Sequence, residues 1–118
     1  MGEQPDSLAA FVAATEDLLA VLDQLSAERR PLARRAQQVR KQLASGRSLT
    51  DIVQAEEPPL LVATLRESTA RFTDAFSRFQ RAEARALHDE GMSMERIGRL
   101  FGVSRQRVAH LVEPPAPA

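Results

Sequence analysis

Four polar side chains near the end of the chain have the chemistry needed to read nucleic-acid bases. In the segment IGRLFGVSRQRVAHLV, residues 97–112, two short apolar-patterned runs meet at a glycine, and the second run carries Arg105, Gln106, Arg107 and His110. An arginine can bond the O6 and N7 atoms of guanine together, and a glutamine can bond N6 and N7 of adenine. These residue types therefore favour contact with double-stranded DNA.

The pattern around these side chains predicts two short helices joined by a tight turn. Ser93 and Ser104 are good N-caps, and Glu95 falls in a first turn, where the helix dipole favours an acid. Gly102 allows the turn a positive φ. Such a corner needs a small residue where the helices cross, which is Gly98. It also needs apolar residues beside the turn and inside the second helix, which are Ile97, Phe101, Val103, Val108 and Leu111. The spacing predicts a helix-turn-helix.

The segment SMERIGRLFGVSRQRVAHLVE, residues 93–113, resembles the promoter-reading helix-turn-helix near the C-terminus of bacterial sigma factors. In that family the recognition helix opens with Val, then Ser or Thr, Arg, any residue, Arg, and Val or Ile. The matching residues here are Val103, Ser104, Arg105, Arg107 and Val108. The resemblance covers residues 78–113, with QRAEARALHDEG (80–91) as the supporting helix of a trihelical unit. Nothing else matches the sigma core, so the chain as a whole is similar to a small actinobacterial-type DNA-binding regulator.

The resemblance implies a role for each polar residue of the corner. The residues at base-facing positions are Arg105, Gln106, Ala109 and His110. Ala109 replaces the long polar residue often found there, which reduces its readout to contact with a thymine methyl group. The residues placed for phosphates, which position a protein without specifying sequence, are Ser104, Arg107, Arg96 and Arg99. For Arg96 and Arg99 a merely solvated surface role is equally open.

Two long patterns of apolar residues precede the corner. The first repeats at alternating steps of three and four, at Leu8, Phe11, Thr15, Leu18, Leu22, Leu25, Arg29, Leu32, Ala36, Val39 and Leu43. Pro31 lies inside it and predicts a kink or break near residues 27–31. Gly46 ends this pattern, and Ser48 is expected to cap a short helix over residues 48–53.

The second pattern begins at Leu60 and runs to about Glu90, where Gly91 stops it. Its inward positions are Leu61, Leu65, Ser68, Phe72, Ala75, Phe79, Ala82 and Ala86. A two-helix hairpin buries too little apolar surface to stand alone comfortably. A homodimer held by residues 6–80 is therefore expected. The alternative is that the kinked first helix folds back into a monomeric three-helix bundle.

The predicted fold is all-α. A long, coiled-coil-like helical hairpin, the dimerisation region, covers residues 1–77. A C-terminal trihelical helix-turn-helix domain covers 78–113, and a disordered proline-rich tail covers 114–118.

Composition excludes several classes of protein. The chain has no Cys, so no disulfide, thiolate metal site or thiol nucleophile exists. His88 and His110 lack the clustered partners of a metal site, and there is no glycine-rich phosphate loop or nucleophile–base set. We therefore expect no enzyme activity, no cofactor and no metal. Without a membrane-spanning apolar run or a signal peptide, a cytoplasmic protein with no membrane partner is expected.

Two functions remain open. The first is a sequence-specific DNA-binding transcriptional regulator that reads the major groove with helix 104–112. The second is a protein-interaction module that binds RNA polymerase or an anti-sigma-type regulatory partner through the sigma-like unit. The zero net charge keeps the second open. The stretch 28–42, with six basic residues and one acidic, could contact the DNA backbone, pair with Glu16, Asp17 and Asp23, or stay solvated.

Overall fold

The computed structural model describes residues 6–113, and every regular element in that range is an α-helix. The helices are α1 (Asp6–Ala44), α2 (Leu49–Ala55), α3 (Leu61–Asp89), α4 (Met94–Phe101) and α5 (Arg105–Val112). The predicted all-α class is confirmed. None of these five helices combines the length and apolar character needed to cross a membrane. The predicted disordered tail, residues 114–118, lies outside the described residues.

Helix α1 continues through Pro31, so of the predicted kink or break near residues 27–31 the break is wrong. Proline lacks a backbone N–H and removes one hydrogen bond from a helix of 39 residues. Leu25 and Leu32, half-buried on either side of it, hold the adjoining turns in place. The first helix therefore does not turn back at Pro31, as the three-helix alternative required.

The described chain forms two compact units, and α1 and α3 contribute to both. We call Ala20–Thr73 the hairpin unit, and residues 6–19 together with 74–113 the corner unit. The corner unit thus includes the first turns of α1 as well as the residues of the predicted helix-turn-helix. A domain boundary at residue 77 stays a prediction.

A polar network joins α1 to α3 within the hairpin unit. The Arg71 guanidinium donates to both oxygens of the Glu28 carboxylate, at 2.7 and 2.8 Å. The Ser68 hydroxyl donates to the same carboxylate at 2.9 Å. These hydrogen bonds, first from Arg71 and then from Ser68, hold the pKa of Glu28 below its ordinary value. Of these three residues, Ser68 was predicted to lie inward, whereas Glu28 and Arg71 each precede a predicted inward position by one residue.

The prediction of which α1 residues lie inward is confirmed at some positions and wrong at others. Phe11, Leu18, Leu25, Leu32 and Val39 are half-buried, as predicted. The alternate inward positions lie one residue earlier than predicted, at Val21, Glu28, Arg35 and Gln42. The predicted ones, Leu22, Arg29, Ala36 and Leu43, are exposed.

The same shift occurs on α3. Thr64 and Arg71 take the inward positions predicted for Leu65 and Phe72, which are 44% and 37% exposed. With the helices rotated in this way, Arg71 meets Glu28 at 2.7 Å, and the two side chains are 36% and 32% exposed.

The core of the corner unit gathers residues from α3, α4 and α5. Ala84, Ile97, Val108 and Leu111 are at most 1% exposed and form one cluster. The partly buried apolar residues packed on it are Leu87, Met92, Met94, Phe101, Val103 and Val112. All five apolar residues predicted for the corner therefore lie in this core or against it. At the start of α1, the rings of Phe11 and Phe79 approach to 5.2 Å between centroids.

Candidate nucleic-acid interface

Serine caps fix the starts of α4 and α5. The Ser93 hydroxyl accepts a hydrogen bond from the Arg96 backbone N–H at 3.2 Å, and the Ser104 hydroxyl accepts one from the Arg107 N–H at 3.0 Å. Gly102 ends α4 in the left-handed region, with φ of 73°. Both predicted caps and the predicted positive φ are confirmed. Because each cap uses a hydroxyl, the starting residues of both helices are defined locally by the sequence.

Gly98 lets the turn lie directly on α4. A Cβ atom at this position would be 2.8 Å from the carbonyl oxygen of Val103 and 3.5 Å from the backbone nitrogen of Arg105. The Val103 N–H in turn donates to the Gly98 carbonyl at 2.9 Å. The sequence predicted a small residue here, and the close approach of the Val103 backbone accounts for a glycine. The start of α5 is therefore held close against α4.

Helix α5 buries one side and exposes the other. Val108 and Leu111 are buried, whereas the exposed residues are Arg105, Gln106, Arg107 and His110. The side chains of Arg105, Gln106 and Arg107 make no hydrogen bond or ion pair with any described residue. Ala109 is half-buried, so it is the least accessible of the residues predicted to contact bases.

The other residues predicted to contact DNA differ in whether their side chains already have a partner. Arg96 and Arg99 are exposed on α4, and their side chains pair with none of the described residues. Ser104 is exposed while its hydroxyl serves as the cap. The His110 imidazole lies 3.8 Å from the Glu113 carboxylate, one turn further along the chain. A base contact by His110 would therefore compete with this carboxylate.

Two arginines that sequence reasoning missed hold the C-terminal end of α5. Arg81 and Arg85 lie on α3 and donate to the backbone carbonyls of His110 at 3.3 Å and Glu113 at 2.7 Å. Cationic donors at a helix C-terminus satisfy carbonyls that lack an intrahelical partner. The signal that could have found them is their spacing of four residues, which places both on one face of the helix before the corner.

The basic stretch 28–42 belongs to α1 and is mostly solvated. Arg35 lies 3.7 Å from the Glu56 carboxylate and donates to the carbonyl of Pro59 at 2.9 Å. The other five basic residues are exposed, and within the hairpin unit none forms an ion pair. In that unit the carboxylate partner of Arg35 is therefore Glu56, and the proposed partner Asp23 is not used.

Among residues 6–113, no three His, Asp or Glu side chains are grouped as metal ligands would be. Compared with known protein families, with curated proteins and with solved structures, the chain matches none. The features left to indicate a function are the exposed, unpaired polar side chains of α4 and α5.

Proposed function

We propose that the protein is a sequence-specific DNA-binding transcriptional regulator. In this proposal the corner formed by α4, the turn and α5 acts as a helix-turn-helix, and α5 enters the major groove. One observation carries the proposal: α5 packs Val108 and Leu111 into the core while Arg105, Gln106 and Arg107 stay exposed and unpaired. Long polar side chains that have no partner among residues 6–113 are suited to bond base edges and phosphates.

The free side chains divide into base readers and phosphate contacts. We assign base reading chiefly to Arg105 and Gln106, at the start of α5, which is the part of a recognition helix that meets base edges. His110 and Ala109 contribute less, since Glu113 lies beside the imidazole and the alanine is half-buried. The phosphate contacts are Ser104, Arg107, Arg96 and Arg99. The resemblance to the promoter-reading unit of sigma factors supports the same division.

We also propose that the chain forms a homodimer through the outer sides of its long helices. Four large apolar residues of the hairpin unit are each at least 43% exposed, namely Leu22, Leu43, Val62 and Leu65. The Glu28–Arg71 pair, at 32% and 36%, is less exposed than any of them. On α1, Leu22 and Leu43 are 21 residues apart, which is three heptads, so they lie on one side of the helix, where a second helix of the same kind would pack. A second copy of this chain supplies such a helix, and an inverted-repeat DNA site follows from its two-fold symmetry.

The test is selection of bound sequences from random DNA, followed by binding curves on the selected and scrambled duplexes. Gln106→Ala should cost about 1–3 kcal/mol on the selected site and little on scrambled DNA, because a bidentate contact with adenine discriminates by that amount. Gln24→Ala, an exposed glutamine on α1, is the matched control. If both Gln106→Ala and Arg105→Ala leave the specific-to-random ratio unchanged, α5 does not read DNA.

One observation favours the second candidate, a protein-interaction module. Leu100, on α4, is 64% exposed. A large apolar side chain beside Arg99 suits a protein partner, such as RNA polymerase or an anti-sigma-type regulator, better than a phosphate. If the protein binds polymerase but no DNA, and Leu100→Ser removes that binding, this alternative replaces the first.

A further inference from the structure

A cleft of about 890 Å³ lies within the corner unit, between the start of α1, α3 and α5. Four of its lining residues are arginines, Arg78, Arg81, Arg85 and Arg107. The apolar part of its lining consists of alanines on α1 and α3, whose methyl groups leave room for a ligand that larger side chains would fill. The cleft is thus a basic cavity with an apolar floor.

Only some of the arginines that line the cleft are hydrogen-bonded to other parts of the chain. Arg81 and Arg85 already donate to carbonyls at the end of α5. Arg78 and Arg107 have no hydrogen-bond or ion-pair partner among the described side chains. Two carboxylates, Asp17 and Glu113, and the His110 imidazole also line the cleft. Four guanidinium groups against two carboxylates leave an excess positive charge that an anion would neutralise.

We propose that this cleft binds a small organic anion that carries a phosphate or carboxylate group on a short apolar body. The guanidinium groups of Arg78 and Arg107 recognise the oxyanion, and the alanine floor covers the apolar part. A second consequence rests on the proposed function. Arg107 also contacts DNA phosphate in that proposal, so ligand and DNA compete for its guanidinium group.

Binding is tested without DNA, on the full chain, by isothermal titration calorimetry. The probes are octyl phosphate, octanoate, octanol and inorganic phosphate. We expect one saturable site per chain for octyl phosphate or octanoate, weaker binding of inorganic phosphate, and none for octanol. Comparison of the first two probes identifies the head group. Equal binding of octanol, or of inorganic phosphate and octyl phosphate, would overturn the proposal.

Variants locate the bound probe. Arg78→Gln should weaken it by about tenfold or more, because it removes a charge-assisted hydrogen bond. Arg66→Gln, an exposed arginine of the same helix outside the cleft, should not change binding. Ala13→Phe should block the site by filling it, and circular dichroism confirms that each variant stays folded. Unchanged binding in both Arg78→Gln and Ala13→Phe would contradict the assignment.

Competition is then measured on the DNA site obtained by selection. The tighter-binding probe should weaken DNA binding by the wild type and have little effect on Arg78→Gln. If DNA binds and the probe does not displace it, the competition is wrong although the cleft stands. If Arg78→Gln weakens DNA binding in the absence of any probe, the cleft holds DNA phosphate, and the small-anion proposal falls. If the probe binds but no DNA does, the regulator proposal fails while the ligand site is retained.

Discussion

Replacing Gly98 with alanine should have two opposite effects on stability. Alanine has the higher helix propensity, but its methyl group would collide with the turn that packs on α4. In an unobstructed helix interior, this change would stabilise the protein by about 1 kcal/mol. Here the added methyl group would lie 2.8 Å from the Val103 carbonyl oxygen, closer than side-chain carbons approach in real proteins. The obstructing atom is backbone and cannot rotate away, since the Val103 N–H is bonded to the Gly98 carbonyl at 2.9 Å.

The expected net effect is destabilisation. Forcing one methyl group into a packed site costs about 1–3 kcal/mol, which offsets the gain in propensity and exceeds it in most of that range. We expect Gly98→Ala to lower the free energy of unfolding by about 1 kcal/mol. The displaced turn should also move α5 and weaken DNA binding on the selected site.

Urea denaturation followed by circular dichroism measures the effect. Arg99→Ala on the same helix is the control and should stay within about 0.5 kcal/mol of wild type, because this arginine is exposed and unpaired. Gly98→Val should be worse than Gly98→Ala, since it adds more volume against the same backbone. A Gly98→Ala protein that is more stable than wild type and binds DNA normally would refute the close packing of turn and helix.

Three further predictions concern charge, assembly and pH. DNA affinity should fall steeply as the salt concentration rises, because phosphate contacts release counterions. Arg99→Ala should weaken binding to specific and random DNA alike and make affinity less dependent on salt; an unchanged dependence would mean that Arg99 is only a surface residue. Light scattering at micromolar concentration should give a dimer mass for wild type and Gln24→Glu, and a monomer mass for Leu65→Glu, which places a charge among exposed apolar residues; a wild-type monomer would contradict the proposed assembly. Because hydrogen bonds from Arg71 and Ser68 lower the folded pKa of Glu28, its contribution to stability is present above the ordinary glutamate pKa and lost as the pH falls through the lowered one. The difference in unfolding free energy between wild type and Glu28→Gln should therefore shrink on acidification below about pH 4, and a difference independent of pH would contradict the network.

The sequence by itself determined where the three short helices begin and where α4 ends. Ser48, Ser93 and Ser104 cap α2, α4 and α5, and Gly102 adopts the positive φ expected of it. These features depend on bonds within three or four residues, so local chemistry suffices to predict them. The small core of the corner was predictable for a related reason. Ile97 and Val108 are close in sequence, and a tight turn allows few ways to bury both.

The rotation of the long helices was decided only by the tertiary structure. On α1, two adjacent rows of residues repeat every three or four positions, one containing Leu22 and the other Glu28. Either row could face inward, and periodicity alone favours the more apolar one. In the structure the row containing Glu28 faces inward, and Glu28 bonds Arg71, 43 residues away. The break predicted at Pro31 was wrong for a similar reason. The cost of one lost hydrogen bond can be judged from the local sequence, whereas the packing that holds the adjoining turns cannot.

The cleft of the corner unit also required the tertiary structure. Its lining comes from three helices, and Arg81 reaches the end of α5 across 29 residues of sequence. No local pattern brings the start of α1 near Arg107. Local bonding therefore set where the short helices begin and the chemistry of α5. Contacts between residues distant in sequence set which row of α1 is inward and where an anion would fit, because only packing decides which side chains share a cavity.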